Sequence, residues 1–187
     1  MNREPAIATV VLLTTTLTSS TAWAQKPGGP TEDAPVHTRT DFSFKVDAPF
    51  DQVAPLFGAN EERKWSAGWN PQFIYPTPAR DQQGMVVKVA PGQFTSVWVN
   101  TALDLAAGHI QYAYVLNDAM AVLIDIHLTR ESAQKTGVTV VYERTALLSE
   151  ANEHVQHFTK GDAGAGKEWG DAINNYFAEL RATGSQR

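Results

Sequence analysis

The chain has no cysteine among its 187 residues. That excludes a disulfide framework, a thiol nucleophile and a thiolate metal site, so folding has to rest on packing. Beyond its N-terminal stretch it has no apolar run approaching the roughly 20 residues that cross a bilayer as a helix. It has no Gly-x-Ser-x-Gly elbow and no Gly-Lys-Ser/Thr phosphate loop, which removes the common serine-hydrolase and nucleotide-binding readings. Basic residues are outnumbered, with 15 Lys and Arg against 20 Asp and Glu and a net charge of −5. A nucleic-acid partner would favour a basic patch, and none is expected here.

What is present begins at the N-terminus. The amino group and Arg3 precede residues 6–17, which are apolar or threonine only. A stretch of about twelve such residues has the length of a signal-peptide core and is too short to span a membrane. Ala22-Trp23-Ala24 then places small residues where signal peptidase reads them, with Gln25 next. Residues 1–24 are therefore read as a cleaved secretory signal, and the location as periplasmic or secreted. No twin arginine accompanies the stretch and no cysteine follows it, so no stable membrane anchor is expected. Residues 25–37 are read as a flexible leader, because 25–36 hold three prolines and two glycines and can bury almost nothing. One domain follows at 38–182, with 183–187 as a disordered tail. A domain of about 150 residues buries roughly 68–70% of its unfolded surface, enough for a core without covalent staples.

Periodicity supplies the elements. Thr40, Phe42, Phe44 and Val46 alternate with Arg39, Asp41, Ser43 and Lys45, which predicts a half-buried strand. Asp47 is a candidate cap for a short helix carrying Phe50, Val53, Leu56 and Phe57, ended by Gly58, and a second short helix is expected over 60–65. Six strands are predicted at 73–75, 85–89, 95–104, 109–116, 122–130 and 138–148. Short turns join them, as in an antiparallel meander. Ser149 is expected to cap a helix over 150–159. The glycines at 161, 164 and 166 are read as a break or hinge before a last helix over 167–181. There Trp169, Ile173, Tyr176, Phe177 and Leu180 form one apolar stripe. The fold class is α+β, a curved antiparallel sheet wrapped around a long C-terminal helix that can bury its stripe only against one face of the sheet.

With that order, the stretches Trp65-Ser66-Ala67-Gly68-Trp69-Asn70-Pro71, residues 81–85, Tyr142-Glu143-Arg144-Thr145 and Glu168-Trp169 resemble the START/Bet v 1-like superfamily, also called SRPBCC or polyketide cyclase-type. The resemblance covers about residues 38–182. It implies a helix-grip fold around a hydrophobic cavity, most often holding lipids, sterols, polyketides or other apolar molecules. Some members are cyclases or aromatases, and the superfamily has no universal catalytic motif.

The candidate ligand-binding residues are Trp65, Trp69, Trp98, Tyr112, Tyr114, Tyr142, Arg144, Trp169, Tyr176 and Phe177. Tyr75 and Phe94 are expected to border the same cavity. Tyrosine and tryptophan give apolar surface with one polar handle, which suits a ligand with few polar groups. Trp65 and Trp69 are expected at the mouth. Asp125, His127, Glu143 and Arg144 form a second set: a hairpin turning near Gln134 would set Asp125 across from 143–144, with His127 able to shuttle a proton. A one-residue slip would move each of these to the other face. Glu150, Glu153, His154 and His157 include zinc ligand types but lack the His-Glu-x-x-His spacing, and no distant third histidine is obvious apart from His109 or His127. No metal and no cofactor are expected. The leading expectation is a binding protein for a small apolar ligand. The alternative is a cyclase or isomerase using His127, His109 or Tyr142 as acid–base groups in the same cavity.

Overall fold

A computed structural model describes residues 34–90 and 95–184. The signal and most of the leader lie outside the described residues, as does Phe94.

Seven strands form one antiparallel sheet in the order β1-β7-β6-β5-β4-β3-β2. These are β1 (His37–Val46), β2 (Gln72–Tyr75), β3 (Val86–Val89), β4 (Ser96–Asp104), β5 (His109–Leu116), β6 (Met120–Ser132) and β7 (Lys135–Ala146). The predicted strands all occur, within three residues at each end. Helix α1 (Phe50–Val53) and two 3-10 turns, Ala54–Phe57 and Glu61–Lys64, fill the connection between β1 and β2. Helix α2 runs over Asn152–Gly184.

Alternation along each strand sorts residues between two faces. Val122, Ile124, Ile126 and Leu128 on β6 and Val138 and Val140 on β7 are buried, while Asp125, His127, Val141 and Glu143 point the other way. The buried face meets α1, the 3-10 turns and α2 in one core that includes Phe57, Ile110, Val155 and Ile173. The stripe on α2 packs as expected at Trp169, Ile173, Tyr176 and Phe177, but Leu180 is exposed.

Several local expectations are corrected. Helix α2 is one continuous element with no break at 161–166. Two glycines of that region meet the sheet: a Cβ on Gly166 would lie 3.3 Å from Phe42 and from the Ser43 carbonyl oxygen, and Gly170 stands equally close to Phe44. Small residues here bring the helix close to β1, and helical hydrogen bonding continues through them. The residue flanking α1 is Pro49, not Asp47, whose carboxylate lies 3.4 Å from Lys135. Ser149 opens a 3-10 turn, Ser149–Ala151, and α2 starts at Asn152. The domain also extends past its expected limits. Val36 donates to Asn152 Oδ1 at 2.8 Å, Asn152 donates back to the Ala34 carbonyl oxygen at 3.1 Å, and Thr183 is helical.

Candidate functional site

The 3-10 turn Glu61–Lys64 and the loop after it form one wall of a cleft over the buried face of the sheet. This wall is held by Asp81, which accepts from the backbone N–H groups of Asn60 (2.8 Å) and Glu61 (3.3 Å). Asp81 approaches so closely that a Cβ on Gly58 would fall 2.3 Å from its carboxylate, so any side chain at 58 would have to displace Asp81 from the turn. The ring N–H groups of both tryptophans of the loop are used to fix them, Trp65 on the Leu56 carbonyl oxygen and Trp69 on that of Ala59, each at 2.8 Å.

The cleft has two parts. The mouth, about 350 Å³, is lined by Ser66, Ala67, Gly68, Trp69, Val89, Ser96, Trp98, Tyr114, Leu116 and Phe158. That is within the usual size range for a small-molecule pocket. Beneath it lies a floor cavity of about 30 Å³ lined by Phe57, Glu62, Trp69, Trp98, Tyr112, Ile124, Ile126, Tyr142 and Trp169, with room for a water-sized group. Trp69 and Trp98 belong to both and meet edge-to-face at 5.3 Å. Trp98 also stacks on Tyr114 at 4.0 Å and donates to Ser96 Oγ at 2.7 Å.

Glu62 is the functional candidate that sequence reasoning missed. Its carboxyl lines the floor, and among the described residues no side-chain hydrogen bond or ion pair reaches it. Burial pushes it up to about 8, and the nearby Asp81 carboxylate adds repulsion in the same direction. A carboxyl so placed is neutral near pH 7 and can give or take a proton. The segment Glu61-Glu62-Arg63-Lys64 reads as a solvated charge run. The available signal was spacing, since Glu62 stands three before Trp65 and seven before Trp69, on one helical face. The tyrosines are the other polar groups. Tyr112 donates to the Phe57 carbonyl oxygen at 2.8 Å. Burial pushes the Tyr114 hydroxyl up to about 12 and raises that of Tyr142 well above its ordinary value, so both are neutral donors.

Of the predicted ligand-binding residues, the cleft brings together Trp69, Trp98, Tyr112, Tyr114, Tyr142 and Trp169. Four are placed elsewhere. Trp65 packs inward between Phe57 and Trp169 (6.1 and 5.6 Å) rather than at the mouth. Tyr176 contacts Phe177 at 5.4 Å, and Phe177 lines a separate hollow with Ala48, Pro49 and Gln134. Arg144 is spent in a buried ion pair: its guanidinium donates to both oxygens of Asp162, at 2.5 and 2.8 Å, beneath side-chain exposures of 5% and 9%. Thr40 also donates to Asp162, and the Arg144 guanidinium lies 4.2 Å over the Tyr142 ring. Tyr75, expected at the cavity, is 53% exposed.

The two catalytic histidine candidates are also placed elsewhere. Asp125 faces Val141, and Arg144 faces Val122. The hairpin turns at 133–134, near the expected position, and a register shift between Arg130 and Ser132 changes the pairing beyond it. Asp125 and Arg144 therefore lie on opposite faces of the sheet. On the face away from α2, Asp125 instead joins His109 (2.7 Å) and His127 (3.2 Å). That face also carries a hollow of about 520 Å³, lined by Val97, Val99, Ala113, Val115, Ala121 and Leu123 among others. Its polar groups are His37, Glu143 and Thr145, of which His37 and Thr145 are hydrogen-bonded to each other at 2.9 Å, and the rest of its wall is mainly apolar. Glu150, in the 3-10 turn before α2, and Glu153, His154 and His157 on α2 are exposed.

A cleft of this kind between a long C-terminal helix, two short helical turns and a seven-stranded antiparallel sheet defines the helix grip. The fold is that of the START/Bet v 1-like superfamily. Norcoclaurine synthase from Thalictrum flavum, in complex with dopamine and hydroxybenzaldehyde, shares this helix-grip fold with a TM-score of 0.58 at 13% identity, over 83% of this chain and 94% of that one. The Zhui aromatase/cyclase from Streptomyces sp. R1128 matches with a TM-score of 0.58 at 14% identity, over 80% and 99%. An uncharacterised Rhizobium leguminosarum protein matches with a TM-score of 0.53 at 15%, over 78% and 97%. No family profile matches the chain, and no curated protein matches it in sequence.

Proposed function

We propose that this is an exported binding protein that holds an apolar small molecule in the cleft beneath α2. The observation that carries the reading is the shape and chemistry of the cleft: a mouth of about 350 Å³ walled by Trp69, Trp98, Tyr114, Leu116 and Phe158, above an aromatic floor. Burial of a hydrophobic body there supplies affinity without charge. The few free polar tips set orientation. Lipid-, sterol- and polyketide-like molecules fit this description. Export rests on the N-terminal signal pattern.

The test is direct. A neutral apolar fluorescent probe is expected to bind with micromolar affinity, about 8 kcal/mol, and to shift tryptophan emission, because Trp69 and Trp98 line the mouth. Binding that appears only after denaturant is added would overturn the reading.

Glu62 favours a second reading, acid–base chemistry on the bound molecule, with Tyr142 as a neutral donor across the floor. His109 and His127, on the other face, take no part in it. Mass spectrometry of a co-purified molecule incubated in deuterated water distinguishes the two. Incorporation by the wild type and not by Glu62→Gln supports catalysis, and none by either leaves binding alone.

A further inference from the structure

We propose that His109, Asp125 and His127 form a binding site for one divalent transition-metal cation of the zinc class, on the sheet face away from α2. His109 and His127 are directly opposed across the β5–β6 ladder, and Asp125 stands two residues before His127 on the same face. The two imidazole rings are stacked, 4.7 Å apart and within 5° of parallel. Both present Nε2 to the same carboxylate, His109 to Oδ1 at 2.7 Å and His127 to Oδ2 at 3.2 Å. One ligand atom from each residue lies within 4.8 Å of the others.

These distances resemble those of a site in which protons stand where a cation would. Zinc binds imidazole nitrogen and carboxylate oxygen at about 2.0–2.2 Å, so tetrahedral donors lie about 3.3 Å apart. The two N···O separations are already near that edge length. What binding still requires is convergence of the two Nε2 atoms on one cation, within a cluster whose ligand atoms already lie within 4.8 Å of one another. On binding, the proton on each Nε2 is given up to solvent, the neutral imidazole carries its one proton on Nδ1, and the freed Nε2 lone pair turns to the metal. Two neutral imidazoles and one carboxylate leave a fourth position for water or an outside ligand. The three side chains are between 29% and 53% exposed, so a cation reaches them without opening the fold. Because β5 and β6 are interior strands of the sheet, their backbones hold the three residues in place.

Calorimetric titration of the tag-free protein with Zn(II) tests this, since no unidentified ligand is needed. One saturable site is expected. His109→Gln and His127→Gln are each expected to weaken it about tenfold or more, and the double substitution to abolish it. Asp125→Asn provides an independent variant should a histidine change disturb the strand pair, with circular dichroism reporting the fold of each. His154→Gln with His157→Gln, on the exposed face of α2, is expected to leave binding unchanged. Absence of saturable binding up to millimolar zinc, or binding that survives the double substitution, would overturn the proposal.

Discussion

A carboxyl set against Trp69, Trp98 and Trp169 with no cation beside it is held neutral, because the ionised form loses its hydration and gains nothing in exchange. Glu62 has an ordinary value of 4.5 and a folded-state value of about 8. Between those values the folded protein holds a proton that the unfolded chain has released. Stability therefore falls as pH rises through that window and levels off above it. Glu62→Gln removes the dependence. Urea denaturation is expected to show the variant more stable than the wild type by about 2 kcal/mol or more near pH 9 and nearly equal near pH 5. Parallel curves for the two proteins would mean that Glu62 is solvated. Asp81 acts at the same scale through the backbone. Its two bonds to Asn60 and Glu61 hold the turn that carries Glu62. Asp81→Ala is expected to cost about 1–2 kcal/mol in thermal or urea unfolding, the usual loss for a capping carboxylate.

At the scale of elements, α2 decides how the sheet is gripped. The glycines at 161 and 164 face open space, whereas Gly166 touches β1. If the helix is continuous, Gly161→Ala and Gly164→Ala each raise stability by about 0.5–1 kcal/mol, as removal of glycine from a helix interior does. Gly166→Ala is expected to bring no such gain. A drop in stability for the first two would restore the hinge. The second lock is Asp162, which joins α2 to β7 through Arg144 and to β1 through Thr40. Asp162→Ala leaves a guanidinium buried without its partner and is expected to cost about 3–5 kcal/mol by urea denaturation. A nearly harmless substitution would mean that the pair is solvated.

At the scale of the whole molecule, the two faces of the sheet carry different chemistry. One meets α2 and holds the aromatic cleft. The other is open, with an apolar groove at Val97, Val99 and Val115 and the histidine–aspartate cluster beyond it. Processing also belongs to this scale: if residues 1–24 are the signal, the exported protein begins at Gln25. N-terminal sequencing or intact mass of protein recovered from outside the cytoplasm checks this, and retention of Met1 there would refute it.

The sequence by itself determined the kinds of elements and their order, because a period of two and a period near 3.6 are properties of local residue spacing. It also determined which strand residues share a face, so the alternation of Phe42, Phe44 and Val46 on β1 and of Tyr112 and Tyr114 on β5 was legible. Six of the ten predicted ligand-binding residues meet in the cleft, and four of these, Trp98, Tyr112, Tyr114 and Tyr142, are strand residues. Only the tertiary structure decided which face each strand turns to the helix and where along the hairpin the strands align. The shift between Arg130 and Ser132 is set by pairing between residues on different strands, which no local pattern encodes. That is why Asp125 stands opposite Val141 and not Arg144, which lies instead against Asp162; the two histidines stand outside the cavity because Val122, Ile124, Ile126 and Leu128 are the residues that β6 turns inward. Glu62 escaped for a related reason. A glutamate among charged neighbours reads as solvated, and its burial comes from Trp98, Tyr142 and Trp169, residues 36 to 107 positions away in the chain, brought to it only when the sheet closes on the helix.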